Sequence, residues 1–410
     1  MSVRRIESCR VSGDANLISV VNLGNQCLTG VFPRSTDDHI TSGPLELVWS
    51  PESQLLQLAH SYDLGEMYGD NYGYRSGLNS SMVNHLNQKV KYLTDIVHLN
   101  PGDYVLDIGS NDGTTLNAYS DQNITRVGID PTLLKWKEYY QPGILTIDDF
   151  FSSPAYFSVA TKPSKIITSI AMFYDLESPV EFCKNIKSVL AHDGIWHFEQ
   201  SYMPSMLRTN GYDTICHEHL EFYTLGNICR ILDKQDLKVL DASFNSTNGG
   251  SFAVTAAHKD SELRPNIRII DWYLRQESNM KLDSPAPYRL FEERIYHHRK
   301  ELTNLISLLK DQGSIIAGYG ASTKGNVLLQ FCGLDTSSID YIVDVNPLKW
   351  GSFTPGTSIP IVSETYFRDN LPDYCLVLPW HFRPSILERE KDLLQQGVKF
   401  IFPLPEIEIV

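Results

Sequence analysis

The chain has 410 residues, 42% of them hydrophobic and 20% charged, with a formal net charge of −14. That length exceeds one hydrophobic core and implies two or three domains of ordinary globular composition. The acidic balance argues against nucleic acid as a partner, because phosphate binding needs a basic field, and no apolar run approaches the roughly 18–20 residues of a membrane span.

The start, Met1-Ser-Val-Arg-Arg-Ile-Glu7, lacks the apolar stretch of a secretory signal, and the seven cysteines show no pairing pattern, so a cytoplasmic protein is expected. Residues 1–75 are dense in Gly, Pro, Ser and Asn, with strand-like runs at 17–21 and 45–49, and read as a small β-rich unit. Over 80–97, Met82, Val83, Leu86, Val90, Leu93, Ile96 and Val97 recur at helical spacing. Strands are expected at 105–108, 126–129, 144–147, 166–170 and 194–199, alternating with helical stretches such as 180–191, which implies a mostly parallel sheet. A charged helical stretch over 288–312 reads as a domain connector. Beyond it the alternation restarts at 314–320, 341–344, 374–379 and 400–403. The expected organisation is α/β throughout: a small unit at 1–75, a central domain at 76–285 and a smaller Rossmann-like domain at 286–410. No feature sets an oligomeric state.

The most informative stretch is Val105-Leu-Asp-Ile-Gly-Ser-Asn-Asp-Gly113, answered about twenty residues later by Val127-Gly-Ile-Asp130-Pro131, the spacing of a nucleoside site in a doubly wound sheet. The turn reads D-x-G-x-x-x-G, with Asp107 ahead of Gly109 and Gly113. A pyrophosphate wants bare backbone N–H groups at such a turn. An acid suits a cation, and S-adenosylmethionine carries both an ammonium and a sulfonium. Asp107, Gly109, Ser110, Asn111 and Gly113 would floor its pocket, and Asp130 with Pro131 would hold the ribose. Asp148, Asp149 and Phe150 either cap the adenine, an acid for the amine and a ring for stacking, or serve a helix N-terminus.

Four further clusters carry chemistry. Asp213-Thr-Ile-Cys-His217-Glu218-His219 concentrates acids and imidazoles suited to proton transfer, with a metal site or a structural turn as alternatives. Tyr68-Gly-Asp-Asn-Tyr72-Gly-Tyr74-Arg75-Ser76 places tyrosines before the first long helix, to lie over a donor, to bond a substrate oxygen, or merely to dock the amino-terminal unit. Asn248-Gly249-Gly250-Ser251 is either a phosphate cradle or a tight type I′ hairpin. Gly318-Tyr319-Gly320-Ala-Ser322-Thr-Lys324-Gly-Asn326 suits an anion at a helix start. It is not a Walker A sequence, and it leaves open a nicotinamide site with Asp344 or a plain packing turn.

Over nearly its whole length the chain resembles the S-adenosylmethionine-dependent C-methyltransferases that act on nucleotide-linked keto-deoxysugars. The likeness rests on Asn25-Gln-Cys-Leu-Thr-Gly-Val-Phe-Pro33, Leu56-Gln-Leu58, Tyr72-Gly-Tyr-Arg-Ser76, Leu106-Asp-Ile-Gly-Ser-Asn-Asp-Gly113, Glu218-His219, Asn248-Gly-Gly-Ser-Phe252, Gly318-Tyr-Gly-Ala-Ser-Thr-Lys-Gly-Asn326 and Phe402-Pro-Leu-Pro-Glu406. It implies a zinc-binding unit, a methyl-donor domain of class I Rossmann-like fold and a carboxyl-terminal Rossmann-like domain, with the sugar nucleotide between the last two. It also implies His219 as base, Glu218 as its helper, and Tyr72 or Tyr74 as donor to the keto oxygen. Asn248, Gly249, Gly250, Ser251, Tyr319, Ser322, Lys324 and Asn326 would bind the sugar nucleotide. The implied acceptor is a 4-keto-6-deoxyhexose methylated at C3, with C5 as the alternative.

Two departures stand out. Where the family carries two C-x-x-C pairs, this chain has Cys9 and Ser12, then Ser50 and Ser53. One thiolate cannot hold structural zinc, so no zinc is expected. Cys216 stands where some members have a tyrosine. A nicotinamide-dependent sugar reductase and a non-catalytic nucleotide-sugar binder are the competing readings.

Overall fold

The computed structural model describes residues 3–67, 74–121, 123–245 and 247–410. Its central sheet contains β1 (Tyr104–Ile108), β2 (Thr125–Ile129), β3 (Leu145–Ile147), β4 (Ser164–Ile170), β5 (Leu190–Ser201), β6 (Leu237–Asn245) and β7 (Ser251–His258). Their spatial order is β3-β2-β1-β4-β5-β7-β6, with β7 alone reversed. Val105, Leu106, Val127 and Ile167 are fully buried, as parallel strands covered on both faces must be. The chain reverses its winding between β1 and β4, which opens a crevice at their carboxyl ends. Helix α1 (Ser80–Ile96) lies on this sheet by Val90 and Leu93, its first turn capped by Asn79.

The amino-terminal sheet is antiparallel, built from Ile18–Cys27, Ser42–Trp49 and Leu56–Leu58. Its fourth strand, Glu221–Phe222, comes from the central part of the chain. The segment with His217 and His219 is therefore tied to the amino-terminal unit by backbone pairing.

The last sheet holds β8 (Ile316–Tyr319), β9 (Tyr341–Val343), β10 (Ile361–Val362), β11 (Tyr374–Val377), β12 (Lys399–Phe402) and β13 (Glu408–Ile409), in the order β10-β9-β8-β11-β12-β13. Helix α2 (Ala286–Asp311) is more than a connector. Tyr288, Phe291, Ile295, His298, Leu302, Ile306 and Leu309 form one buried stripe in a core shared with the amino-terminal sheet. Helix α3 (Thr323–Cys332) follows β8. Among the described residues no helix is long and apolar enough to cross a membrane.

Candidate active site

The glycine turn after β1 takes left-handed backbone at Gly109 (φ +72°) and Gly113 (φ +75°). A side chain at Gly113 would also come 2.9 Å from the Tyr140 ring. The turn floors a cavity of about 200 Å³ at the carboxyl ends of β1, β2, β4 and β5. Asp107, Gly109, Ser110, Asn111, Asp130, Pro131, Asp149 and Phe150 line it. Asp148, which is exposed, and Gly113 both lie outside the lining. Neither Asp148 nor Asp149 caps the next helix, Ser153–Phe157, because Ser152 does.

Asp107 is buried and accepts from Thr168 Oγ1 at 2.5 Å. Desolvation outweighs that bond and pushes its carboxyl up to about 7. Asp130 accepts from Asn111 N at 2.8 Å on Oδ2 and from both Thr132 N and Thr132 Oγ1 at 2.6 Å on Oδ1, which leaves Oδ2 room to accept from one ribose hydroxyl. An anionic floor in a largely apolar cavity, a ribose acid at the end of β2, and Phe150 with Asp149 at the rim fit S-adenosylmethionine.

Asn111 has a further part that its place in the turn did not reveal. Its Oδ1 accepts from Ser76 N at 3.0 Å and its Nδ2 donates to Tyr74 O at 3.2 Å. Asp112 accepts from Gly77 N at 2.8 Å. These bonds strap residues 74–77 across the turn and bring Tyr74, 49% exposed, to the cavity wall. Tyr72 lies outside the described residues.

The two histidines of the 213–219 cluster face apart. His217 packs edge-on against Tyr62 with ring centroids 4.6 Å apart, among amino-terminal residues. The His219 ring lies 4.3 Å from Tyr174, which lines the cavity. This divergence does not suit the His-x-His metal reading. His219 Nδ1 lies 2.9 Å from Thr214 O. A carbonyl only accepts, so Nδ1 carries the proton and Nε2 keeps the free lone pair. Burial, then the Lys324 charge, lowers its pKa to about 3. Glu218 turns to the amino-terminal unit: a side chain on Gly30 would meet its Oε1 at 2.5 Å. Burial raises the Glu218 pKa. Cys216 is buried beside that carboxyl and does not reach the cavity.

A smaller cavity, about 20 Å³, shares Ser201 with the first. Gly249, Gly250, Asp213, Thr214 and Lys324 line it, so the glycine loop, the acidic cluster and the carboxyl-terminal turn meet there. Trp380 Nε1 donates to Asp213 at 2.8 Å across the boundary. The hairpin between β6 and β7 is real, but its loop is a 3₁₀ turn (Thr247–Gly249) followed by Gly250 at φ +118°, not a two-residue type I′ turn. Ser251 lines the larger cavity.

Three of the expected substrate residues border neither cavity. Tyr319 points into the carboxyl-terminal core, where its hydroxyl donates to Glu390 at 2.7 Å. Ser322 caps α3. Asn326 is fully buried and donates to Thr29 O at 2.8 Å. Asp344 accepts from Ala321 N at 2.8 Å and Asn346 N at 2.7 Å and borders neither cavity.

Family models match in three places: "Methyltransferase domain" over residues 80–242, "C-methyltransferase C-terminal domain" over 246–405, and "Putative zinc binding domain" over 9–68. The chain is 31% identical to the C-methyltransferase NovU of Streptomyces niveus over 414 residues, covering 100% of this chain and 98% of NovU. The chain belongs to the C-methyltransferase family. Among solved structures, the magnesium protoporphyrin IX methyltransferase of Synechocystis PCC 6803 with bound SAM is 12% identical, covering 44% of this chain and 79% of its own, at a TM-score of 0.33. The plantazolicin methyltransferase BamL with SAH is also 12% identical, covering 44% and 87%, at a TM-score of 0.36. Likeness that low carries no argument here. The sheet order and the family match do, and they make this C-methyltransferase an S-adenosylmethionine-dependent enzyme.

The zinc-unit match falls on residues whose chemistry does not fit zinc. Cys9 Sγ lies 3.2 Å from Ser53 Oγ, both buried, where a metal-binding member would need thiolates. Among the described residues no three His, Cys, Asp or Glu side chains gather as metal ligands.

Sequence reasoning missed the end of β5. Glu199, Gln200 and Ser201 all line the cavity, and Glu199 is held by His85 (2.6 Å), Lys89 (2.7 Å) and Asn245 (2.8 Å). The signal was present: ligands lie at the carboxyl ends of parallel strands, and a strand was expected to end at Glu199.

Proposed function

We propose that this C-methyltransferase acts on a carbon beside the ketone of a nucleotide-linked 4-keto-6-deoxyhexose, at C3 with C5 as the alternative. The observation that supports the reading is that Lys324 and the Gly249-Gly250 loop meet in the small cavity sharing Ser201 with the donor cavity, while His219, outside both linings, packs against Tyr174 of the donor cavity wall and feels the Lys324 charge. A neutral imidazole, a cation and open backbone are the groups that an enolisable, diphosphate-bearing acceptor needs.

When bound, S-adenosylmethionine supplies an electrophilic methyl group. His219 Nε2 takes the proton from the carbon next to the ketone, while Thr214 O holds the ring through Nδ1. Tyr74 or Tyr72 donates to the keto oxygen as it gains charge. The enolate carbon is then the nucleophile. Lys324 and the Gly249-Gly250 turn receive the diphosphate. Because Lys324 lowers the basicity of His219, its neutralisation by the diphosphate raises that basicity when the acceptor arrives. Glu218 supports the segment from the side of the amino-terminal unit. We further propose that this unit is held by packing without zinc, and that residues 1–75, 76–285 and 286–410 act as three parts.

The test is calorimetric titration with S-adenosylhomocysteine and NADPH in parallel, followed by turnover on keto-sugar nucleotides. Binding of the first with methyl transfer supports the reading. Binding of NADPH with no transfer overturns it in favour of a reductase.

A further inference from the structure

Among the described residues, Ser201 alone lines both the donor cavity and the smaller cavity that holds Lys324 and the Gly249-Gly250 loop. It is the last residue of β5 and stands directly opposite Ser251, so the two side chains share one face of the sheet. Gln200, opposite Phe252, turns to the other face. Ser251 spends its hydroxyl proton on Thr247 O at 2.9 Å. The Ser201 hydroxyl has no such partner among the described residues, and the side chain is half-buried rather than sealed in. The backbone that carries it is fixed. Tyr202 N donates to Gly250 O at 3.1 Å, and Met203 N donates to Tyr223 O at 3.0 Å.

The charges on either side decide what crosses this joint. Lys324 lines the smaller cavity, and the acids Asp107 and Glu199 line the larger one. A diphosphate is attracted by the first wall and repelled by the second. Ser201, between them, is neutral and can both donate and accept. In a nucleotide-linked hexose the diphosphate sits on C1, and the reacting carbon, whether C3 or C5, belongs to the same ring. An acceptor with its diphosphate at Lys324 and its reacting carbon at the donor's methyl group must therefore lay its ring across Ser201.

We propose that Ser201 is a specificity-determining residue for the acceptor: its small side chain lets the sugar ring lie across the two cavities, and its hydroxyl bonds an oxygen of that ring. Bulk at this position separates the two halves of the site, leaving each able to hold its own ligand and unable to share one. The inference rests on the acceptor class proposed above.

The test uses the whole enzyme saturated with S-adenosylhomocysteine. Calorimetry compares 4-keto-6-deoxyhexose linked to thymidine, uridine, cytidine and guanosine diphosphate with each free diphosphate, in wild type, Ser201→Ala and Ser201→Val. Loss of one neutral hydrogen bond predicts roughly two- to tenfold weaker binding of the sugar nucleotide in Ser201→Ala. Added bulk at the joint predicts a loss of roughly tenfold or more in Ser201→Val. Binding of S-adenosylhomocysteine and of the free diphosphate stays within about twofold, since neither loses a hydrogen bond, and the former shows that the variants are folded. No loss for the sugar nucleotide in Ser201→Ala overturns the hydrogen bond, and none in Ser201→Val overturns the placement of the ring. An equal loss for S-adenosylhomocysteine or the free diphosphate makes Ser201 structural and overturns the inference alone. Failure of wild type to bind any of the four sugar nucleotides overturns the acceptor class, and the inference with it.

Discussion

Replacing Asp107 by Asn should weaken donor binding and stabilise the unliganded enzyme together. The group titrates at 3.8 when free and at about 7 in the fold. A raised carboxyl pKa means that the native state holds the proton more tightly than the unfolded chain. The contribution to stability is therefore full below about pH 4 and is lost as pH rises through 7. The rise from 3.8 to about 7 corresponds to roughly 4 kcal/mol against the ionised native state at pH 8. Asp107→Asn removes that penalty, so its thermal midpoint should exceed wild type at pH 8, with the gap closing towards pH 4. The ammonium of the ligand pairs with the ionised form, so wild-type affinity for S-adenosylhomocysteine, which keeps that ammonium though not the sulfonium, should rise about tenfold from pH 6 to pH 8, the ratio of ionised fractions for a pKa near 7. Below pH 7 binding should release a proton, seen as a dependence of the calorimetric enthalpy on buffer ionisation. In the variant the loss should be roughly 2–5 kcal/mol, the cost of truncating one partner of a buried charge pair. Flat affinity from pH 6 to pH 8 with no proton release would refute the assignment of Asp107 to the donor's ammonium.

Other consequences follow from the same geometry. His219→Ala should cut methyl transfer by roughly 10²–10⁴-fold with S-adenosylhomocysteine affinity unchanged; a matching loss of affinity would make the residue structural. Lys324→Met removes the cation that lowers the His219 pKa, so the acid limb of kcat/KM should move to higher pH while KM for the sugar nucleotide rises; an unmoved limb argues against this coupling. Elemental analysis should find far less than one zinc per chain, with a thermal midpoint indifferent to chelator, whereas one tightly held zinc would show that the Cys9–Ser53 region recruits ligands elsewhere.

Local chemistry was legible wherever a turn or periodicity had to satisfy its own backbone. Gly109, Gly113 and the acid after β2 announce the donor cavity, because left-handed backbone and strand-end acids leave marks within one element. Helices at 80–97 and 288–312 were legible for the same reason. The direction of a side chain leaving such a turn was not. Tyr319 and Asn326 sit in the glycine-rich segment that suggested an anion site, yet their partners are Glu390 and Thr29, placed by the tertiary fold.

The end of β5 shows how such cases can be told apart. Tyr319 spends its hydroxyl on Glu390, whereas Asn326 donates to Thr29 O but leaves its buried Oδ1 without a partner among the described residues. Glu199 is likewise consumed by His85, Lys89 and Asn245. Gln200, one residue on, is equally buried and unmet among the described residues. Residue type does not separate these four, since all are polar and sit at strand ends or turns, and neither does unmet hydrogen-bond capacity, since Asn326 Oδ1 lacks a partner as the Gln200 amide does. Position does: Glu199 and Gln200 border the donor cavity, and Tyr319 and Asn326 do not. That position is a property of the assembled structure, and it directs the search for specificity to β5 and away from the more conspicuous glycine turn after β8.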